Sequence, residues 1–325
     1  MKRTSRLYQC AAVVAGVLLL ASCGSGGSTS ASATSAGTSA GSSVDGSTSA
    51  GATSAGATAP LTVVASTDVW GSIVSTIGGD RVKVTSLISD PAADPHSYEA
   101  NGQNLLAVSK AALIVENGGG YDDFLTKMVD SAGSKATVLD AVEISGYAAK
   151  GAELNEHVWY DFPTVAKVAA QIRTALTAAS PADAAVFAAN TAAFDKQLTA
   201  LEAKEAAIKA SSAGVGVAIT EPVPLYLLDA AGLVNKTPPA FSEAIESEND
   251  APAAVIVENL ALFSGHQVKA LIYNEQTTGP QTEQVLDAAR KNGIAVVPVT
   301  ETLPAGMDYL AWMNANVDTV AAAVR

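Results

Sequence analysis

The chain has 325 residues, of which 48% are hydrophobic and 16% are charged, and its formal net charge is −13. This length allows two ordinary domains of about 100–150 residues each. The negative charge argues against a general nucleic-acid-binding role, because contact with phosphate backbones requires a basic face. Acidity is compatible with a soluble secreted domain, but it identifies no partner.

The N-terminal segment predicts export of the protein. Lys2, Arg3 and Arg6 precede an apolar run at residues 11–20. That run is too short for a membrane-spanning helix, which needs about 20 residues, and it fits the hydrophobic region of a signal peptide over residues 1–22. Leu20-Ala21-Ser22-Cys23 resembles a bacterial lipobox, in which the peptide is cleaved before the Cys and the Cys carries the lipid. An ordinary secretory signal with an accidental Cys is the alternative.

A tether follows the predicted lipid-attachment residue, Cys23. Residues 24–59 are almost entirely Gly, Ser, Ala and Thr, and Asp45 is their single charge. Such a segment lacks the apolar bulk needed for a core, so residues 23–60 are predicted to be a lipidated, disordered linker. The only other cysteine, Cys10, would be removed with the signal peptide, so no disulfide is expected.

From residue 61 onwards, short apolar or β-branched runs alternate with helical patterns, which is typical of parallel βα units. In the first half, strands are predicted at 61–65, 81–88 and 112–115, and helices at 69–77, 101–109, 121–131 and 162–179. In the second half, strands are predicted at 215–219, 254–258, 268–273 and 295–299, and helices at 225–231, 241–249, 282–292 and 309–323.

One long helix is predicted between these two halves. Pro181 precedes residues 182–210, which are rich in Ala, Lys, Glu and Leu and contain no Gly or Pro, and which would extend about 45 Å as a helix. The predicted fold class is therefore α/β, with an N-terminal lobe at 61–179, a connecting helix at 180–211 and a C-terminal lobe at 212–325. Each lobe is expected to have a central parallel sheet flanked by helices, and the connecting helix is expected to be rigid.

Three residues are candidates for a metal site. His96 and His157 are two of only three histidines, and both lie in loops that lead into predicted helices. Glu221 directly follows the strand predicted at 215–219. Ligands of open α/β sheets collect outside the carboxyl ends of strands, and zinc accepts imidazole nitrogen and carboxylate oxygen. From spacing alone, helix-capping or surface histidines remain alternatives.

Several motifs occur in a fixed order along the chain. They are Ile77-Gly78-Gly79-Asp80, Asp94-Pro95-His96-Ser97-Tyr98-Glu99, Glu116-Asn117-Gly118, Asn155-Glu156-His157-Val158-Trp159-Tyr160-Asp161 and Thr220-Glu221-Pro222-Val223-Pro224-Leu225-Tyr226. In this order they resemble the metal-binding, substrate-binding lipoproteins of zinc and manganese ABC importers. The resemblance covers nearly all of residues 61–325.

The resemblance implies that His96 and His157 from the first lobe and Glu221 from the second bind Zn²⁺ or Mn²⁺ as the transported ligand, with no organic cofactor. It implies a monomer, anchored by lipid to the extracytoplasmic face of the cell membrane, that delivers metal to an ABC transporter permease. No catalytic activity and no nucleic-acid partner are expected. Which of the two metals is bound stays open.

The fourth ligand does not follow from the resemblance. The family usually supplies an Asp or Glu from the loop after a second-lobe strand, here residues 273–280, and the usual position falls near Gly279. Glu275, water or no donor at all are the alternatives. Residues 141–154 contain no His, so the His-rich loop of many zinc-binding members is missing. His266, between a predicted helix and a predicted strand, is interpreted as a solvated turn residue.

Three other functions compete with metal capture as interpretations of the sequence. A zinc hydrolase would need a general base beside an open metal position, but neither a His-Glu-x-x-His nor a Gly-x-Ser-x-Gly motif is present. A metal-dependent surface adhesion or interaction lipoprotein is the alternative function. A receptor for an organic solute would line its cleft with aromatic residues and arginines, but aromatic residues make up only 5% of the chain.

Overall fold

Two parallel β-sheets, one in each half of the chain, carry the fold. The computed structural model describes residues 59–90, 98, 101–147 and 154–325. The predicted signal peptide, the lipobox with Cys23, nearly all of the linker and His96 lie outside these residues.

The first sheet has four strands in the order β2-β1-β3-β4, and every neighbouring pair is parallel. Its strands are β1 Leu61–Thr67, β2 Val82–Ile88, β3 Leu113–Glu116 and β4 Thr137–Asp140. The helices of this half are α1 Asp68–Gly78, α2 Gly102–Lys110, α3 Asp123–Ala132, α4 Ala141–Ser145 and α5 Phe162–Ala179. Because parallel strands need crossover connections, each strand is followed by a helix, and all four carboxyl ends lie at one edge of the sheet.

The second half repeats this arrangement in the order β6-β5-β7-β8, again all parallel. Its strands are β5 Gly216–Ile219, β6 Val234–Asn235, β7 Ala270–Asn274 and β8 Ala295–Val299. After the connecting helix, α6 Ala184–Ser212, its helices are α7 Leu225–Ala230, α8 Pro239–Glu246, α9 Ala253–Ser264, α10 Pro280–Lys291 and α11 Tyr309–Ala323. The predicted α/β class with two lobes is thereby confirmed.

The 29-residue helix α6 joins the two halves, as predicted. A short 3₁₀ turn, Pro181–Asp183, precedes it. Buried residues recur along α6 at alternating steps of four and three positions, which is the spacing of one helix face. These residues are Phe187, Thr191, Phe194, Leu198, Leu201, Glu205, Ile208 and Ser212. This face packs against α1 and α5 of the first lobe and against α7 and α11 of the second, so α6 is buttressed on both sides.

The two lobes also share a core. One hydrophobic cluster includes Trp70 and Trp159 from the first lobe together with Tyr309 and Trp312 from the second. The Tyr309 hydroxyl donates to the Trp159 carbonyl at 2.6 Å, and the Tyr160 hydroxyl donates to the Thr300 carbonyl at 3.0 Å. A shared apolar core with buried hydrogen bonds limits hinge motion between the lobes, because any opening would expose it to water.

One predicted element is wrong in type. Residues 254–258 read as a strand, but they belong to helix α9. An apolar run this short cannot be assigned by periodicity alone, and here the burial of Asn259, Leu262 and Phe263 extends the pattern at helical spacing. The short elements β4, α4 and β6 were not predicted, since they have only four, five and two residues. No helix among the described residues is long and apolar enough to cross a membrane.

Candidate metal centre

His157 lies at the centre of the candidate site and is fully buried. It directly precedes the 3₁₀ turn Val158–Tyr160 that leads into α5. Its Nδ1 lies 2.7 Å from Oδ1 of Asn155, and the same oxygen accepts the backbone N–H of His157 at 3.1 Å. An amide oxygen only accepts, so Nδ1 carries the proton and Nε2 of the neutral ring is left with its lone pair. The Trp159 ring packs edge-on against the imidazole, at 5.1 Å between ring centroids.

Two carboxylates from the second lobe face Nε2 of His157. Oε1 of Glu246 lies 3.5 Å from this nitrogen, and Oε2 of Glu301 lies 3.6 Å from it. Glu246 is the last residue of α8, and Glu301 is the second residue after β8. The Glu301 carboxylate is oriented by Tyr121, whose hydroxyl donates to Oε2 at 3.1 Å, and by Asn274, whose amide donates to Oε1 at 2.8 Å. The imidazole and both carboxylates therefore meet where the lobes face each other.

Glu221 adds a third carboxyl group to the same region. It follows β5, only 3% of its surface is exposed, and its Oε2 has no hydrogen-bond partner among the described residues. Burial raises the pKa of Glu221 from 4.5 to about 8, and the nearby charges of Glu301 and Glu246 contribute to that rise. Hydrogen bonds from Asn274 and Thr277 oppose it. Glu221 thus keeps its proton at neutral pH until a cation compensates for the negative charge.

The electrostatics favour a cation at this point. Burial by itself would lower the pKa of His157, but the negative charges of Glu246 and Glu301 outweigh burial and raise it above the ordinary value. A second grouping points the same way, since Glu156, His157 and Glu246 each offer one donor atom and these atoms lie within 4.8 Å of one another. Imidazole nitrogen and carboxylate oxygen together are a donor set for zinc, manganese and similar divalent ions.

The structure brings together two of the three candidate ligands predicted from the sequence. His157 and Glu221 share Glu246 and Glu301 as neighbours. Their loops are also joined directly, because the side-chain amide of Asn155 donates to the Pro222 carbonyl at 3.0 Å. His96, the third candidate, lies outside the described residues.

The other two residues singled out in the sequence lie elsewhere. The Glu275 side chain is exposed and borders a surface cavity with Pro298 and Trp312, so it does not join the carboxylates that face His157. His266 is exposed in the turn after α9, with a φ of 47°, which agrees with its interpretation as a turn residue.

Sequence reasoning missed Glu246 and Glu301. A signal for Glu301 was present, because it follows β8 as Glu221 follows β5, and carboxyl ends of parallel strands are where ligands collect. Glu246 could not have been found in this way, since it ends a helix and its approach to His157 depends on how the two lobes face each other.

Comparison with known proteins identifies the family. The model of the ZnuA family, described as zinc-uptake complex component A, periplasmic, matches residues 63–323. The manganese-binding lipoprotein MntA of Halalkalibacterium halodurans is 29% identical over 143 residues, which cover 44% of this chain and 47% of the relative. The manganese ABC transporter substrate-binding lipoprotein ScaA of Streptococcus gordonii is 31% identical over 159 residues, which cover 45% of this chain and 51% of the relative. The chain thus spans about half the length of these curated relatives.

Solved structures share the fold. The periplasmic zinc-binding protein TroA of Treponema pallidum aligns with a TM-score of 0.70 at 20% identity, over 82% of this chain and 99% of that one. A crystal structure of ZnuA aligns with a TM-score of 0.69 at 21% identity, over 82% of this chain and 100% of that one. The family expected from the motifs is confirmed: because one family model matches from β1 to the end of α11, the chain belongs to the ZnuA family of periplasmic zinc-uptake components.

Proposed function

We propose that this protein captures a divalent transition metal, zinc or manganese, outside the cytoplasm and delivers it to the permease of an ABC importer. The observation that carries the proposal is the approach of Glu246 and Glu301 to Nε2 of the fully buried His157. Such a group is electrostatically unfavourable when empty and favourable around a cation. The names of the curated relatives, which are manganese-binding and substrate-binding lipoproteins, support the same function.

The proposed ligands are His96, His157, Glu221 and Glu301. Two neutral imidazoles and two carboxylates would neutralise a divalent ion, and residues 61–179 and 212–325 would each contribute two of these groups. Glu301 replaces Glu275 as the proposed fourth donor because of its distance from His157. A cation held by both lobes would keep them together, with residues 180–211 as the connecting helix.

The setting proposed for this site is a lipid-anchored monomer. Residues 1–22 would be removed as a signal peptide, Cys23 would carry the lipid, and residues 23–60 would tether the lobes to the extracytoplasmic face of the membrane. Because the family is a transport component, we expect binding and release of the metal without chemical conversion of any substrate. Assays of the metal-loaded protein against general esterase and phosphatase substrates should therefore give no turnover.

The test of the ligands is thermal unfolding of the purified full-length protein with chelator, with Zn²⁺ and with Mn²⁺. Metal at about a hundred times its dissociation constant should stabilise the fold by roughly 2.7 kcal/mol. His157→Ala and Glu221→Gln should lose most of this stabilisation. Glu221→Gln should also leave the metal-free protein nearly unchanged at pH 7, because the amide replaces a protonated carboxyl of the same shape.

The matched control is His266→Ala, which removes an exposed histidine in a turn and should keep the full metal response. The proposal fails if the parent protein melts at the same temperature with and without metal. It also fails if the His157 and Glu221 variants bind both metals as tightly as the parent.

A further inference from the structure

Glu246 has no counterpart among the residues that end the second-lobe strands. Glu221 and Glu301 follow β5 and β8, whereas Glu246 is the last residue of α8 and reaches the site from the side. Its carboxylate nevertheless lies as close to Nε2 of His157 as that of Glu301, at 3.5 Å against 3.6 Å. Only 15% of the side chain is exposed, so water compensates little of its charge.

A negative charge on Glu246 is unfavourable at the carboxyl end of α8. The carboxyl end of a helix carries partial negative charge, so an anionic side chain there is unfavourable by a few tenths of a kcal/mol to about 1 kcal/mol. The Glu301 carboxylate, which faces the same nitrogen of His157, adds to this repulsion. An unfavourable charge at the centre of a site is typical of a functional residue. A bound cation would attract the Glu246 carboxylate and so offset the repulsion.

Polar atoms of two residues near Glu246 are also available to a ligand. Oε2 of the buried Glu221 has no hydrogen-bond partner among the described residues, and Nε2 of the fully buried His157 faces the carboxylates of Glu246 and Glu301 at 3.5 and 3.6 Å. These atoms belong to residues that share Glu246 as a neighbour. With Glu246 and Glu301, these residues offer one imidazole and three carboxylates to one ion.

We propose that Glu246 is an additional carboxylate donor to the bound cation, and that it shifts the preference of the site from Zn²⁺ towards Mn²⁺. The proposal rests on the metal-capture function and specifies its substrate. Zinc is satisfied by about four ligands in a tetrahedron, whereas manganese prefers an octahedral, oxygen-rich shell of about six. An additional oxygen donor therefore adds more to manganese binding than to zinc binding.

The experiment compares the purified full-length parent protein with Glu246→Gln and Glu246→Ala. Affinities for Mn²⁺ and for Zn²⁺ are measured by equilibrium dialysis, with competition between the two metals. Outer-shell partners of metal ligands already contribute about 10–100-fold to affinity, so loss of a direct donor should weaken Mn²⁺ binding about tenfold or more. The affinity for Zn²⁺ should fall by a clearly smaller factor, because zinc needs fewer ligands than manganese to complete its shell.

The matched control is Glu243→Gln, which removes the same charge from the same helix at an exposed position and should change neither affinity. Thermal unfolding of the metal-free variants verifies that the lobes remain folded. Equal losses for the two metals, or no loss for either, would overturn the proposed role of Glu246. If the parent itself binds neither metal, it is the metal-capture function that fails, so the two outcomes are distinct.

Discussion

The two ring nitrogens of His157 have different partners. Nδ1 is hydrogen-bonded to Oδ1 of Asn155 at 2.7 Å, while Nε2 faces the carboxylates of Glu246 and Glu301 in the second lobe. The hydrogen bond at one nitrogen fixes the tautomer and therefore decides which nitrogen can bind a metal. Asn155 also connects the lobes. Its side-chain amide donates to the Pro222 carbonyl, and its backbone carbonyl accepts a hydrogen bond from the Tyr226 hydroxyl at 2.8 Å.

Replacement of Asn155 should weaken metal binding without removing a ligand. Asn155→Ala removes the acceptor for Nδ1, so the imidazole loses its fixed orientation, and we expect a loss of about 10–100-fold in metal affinity. Asn155→Asp retains an oxygen at this place and should recover part of the loss. Isothermal titration of the metal-free variants measures both effects. Equal affinities of the Ala variant and the parent would show that Asn155 does not position the ring.

Metal binding should depend on pH up to about pH 8. Glu221 has a pKa of about 8 in the folded protein, and the pKa of His157 is also raised, so both bind protons that a metal must displace. Because the pKa of Glu221 is higher in the folded protein than in the unfolded chain, its protonation contributes to the stability of the metal-free fold. This contribution is complete below pH 4.5 and is lost as the pH rises through about 8. The affinity for the cation should therefore increase from pH 5.5 to about pH 8.

Calorimetric titration in buffers with different ionisation heats measures the protons released on binding. At pH 7 the parent should release protons, and Glu221→Gln should release fewer, since one titrating group is gone. An affinity that stays constant from pH 5.5 to pH 8 would contradict protonation of these ligands in the metal-free protein.

The residues of the candidate site differ in how well they could be predicted from the sequence. His157 and Glu221 could be selected because they lie in loops at the ends of predicted elements and belong to motifs with a fixed order. The roles of Tyr121 and Asn274 could not be inferred, since a tyrosine and an asparagine occur for many structural reasons. Tyr121 is 180 residues from Glu301 along the chain and reaches it because the lobes face each other, whereas Asn274, 27 residues away, reaches it from the end of the neighbouring strand β7.

At the scale of elements, the connecting helix α6 contains an unusual buried acid. Glu205 continues the apolar stripe of this helix and is only 5% exposed, and its Oε1 has no hydrogen-bond partner among the described residues. Burial raises its pKa from 4.5 to about 8, and the charges of Asp161, before α5, and Glu202, on the same helix, add to this rise. The Tyr309 hydroxyl on α11 is a further titratable group that interacts with it.

Glu205→Gln should make the metal-free protein less sensitive to alkaline pH. The folded state of the parent keeps Glu205 protonated, so its stability is greatest below about pH 4.5 and is lost as the pH rises through 8. The variant should therefore gain stability relative to the parent progressively as the pH rises from about 4.5 to 8, since each unit of pKa difference corresponds to about 1.4 kcal/mol. Denaturant unfolding at several pH values measures the difference.

The control for this prediction is Glu283→Gln, which changes an exposed carboxyl group on α10 and should follow the parent at every pH. A constant offset between Glu205→Gln and the parent from pH 5 to pH 9 would show that Glu205 does not titrate in this range. That result would separate a packing effect from an electrostatic one.

The long elements were predictable because their signals are strong. Helices α5 and α11 agree with the prediction residue for residue, since each has a clear start and enough turns to reveal an apolar face. Asp161 caps α5 by accepting the backbone N–H of Thr164 at 3.2 Å. Residues 254–258 of α9 resemble a strand because Val255, Ile256 and Val257 are β-branched, and only packing against the second sheet decides between the two structures.

At the scale of the whole molecule, the lobes are joined by more than the connecting helix. The N-terminus of α1 contacts the second lobe, where Oδ1 of Asp68 accepts the Leu303 N–H at 3.1 Å and the Ser72 hydroxyl oxygen accepts the Tyr309 N–H at 3.0 Å. These contacts limit opening to small displacements around the candidate site. The presence of two similar lobes could be inferred from the repeated βα pattern in the sequence. Which surfaces of the two lobes face each other could not be inferred, because no short sequence motif specifies that contact.

The attachment of this unit to a membrane depends on a residue outside the described part of the chain. Cys23 follows Leu20-Ala21-Ser22, and the Gly-, Ser-, Ala- and Thr-rich residues 24–59 would separate the lipid from the lobes. A covalent lipid contributes about 0.8 kcal/mol for each CH₂ group buried in the bilayer. Cys23→Ser should therefore release the protein into the medium or the soluble fraction.

Fractionation followed by immunodetection of the full-length protein measures this release, with Cys10→Ser as the control. Cys10 lies within the predicted signal peptide, so its replacement should leave the mature protein on the membrane. The released Cys23→Ser protein should still bind zinc or manganese, because none of the segments that carry the proposed ligands includes this residue. Membrane association that is unchanged in the Cys23 variant would contradict lipid anchoring. It would favour the ordinary secretory signal instead, with some other contact holding the protein at the membrane.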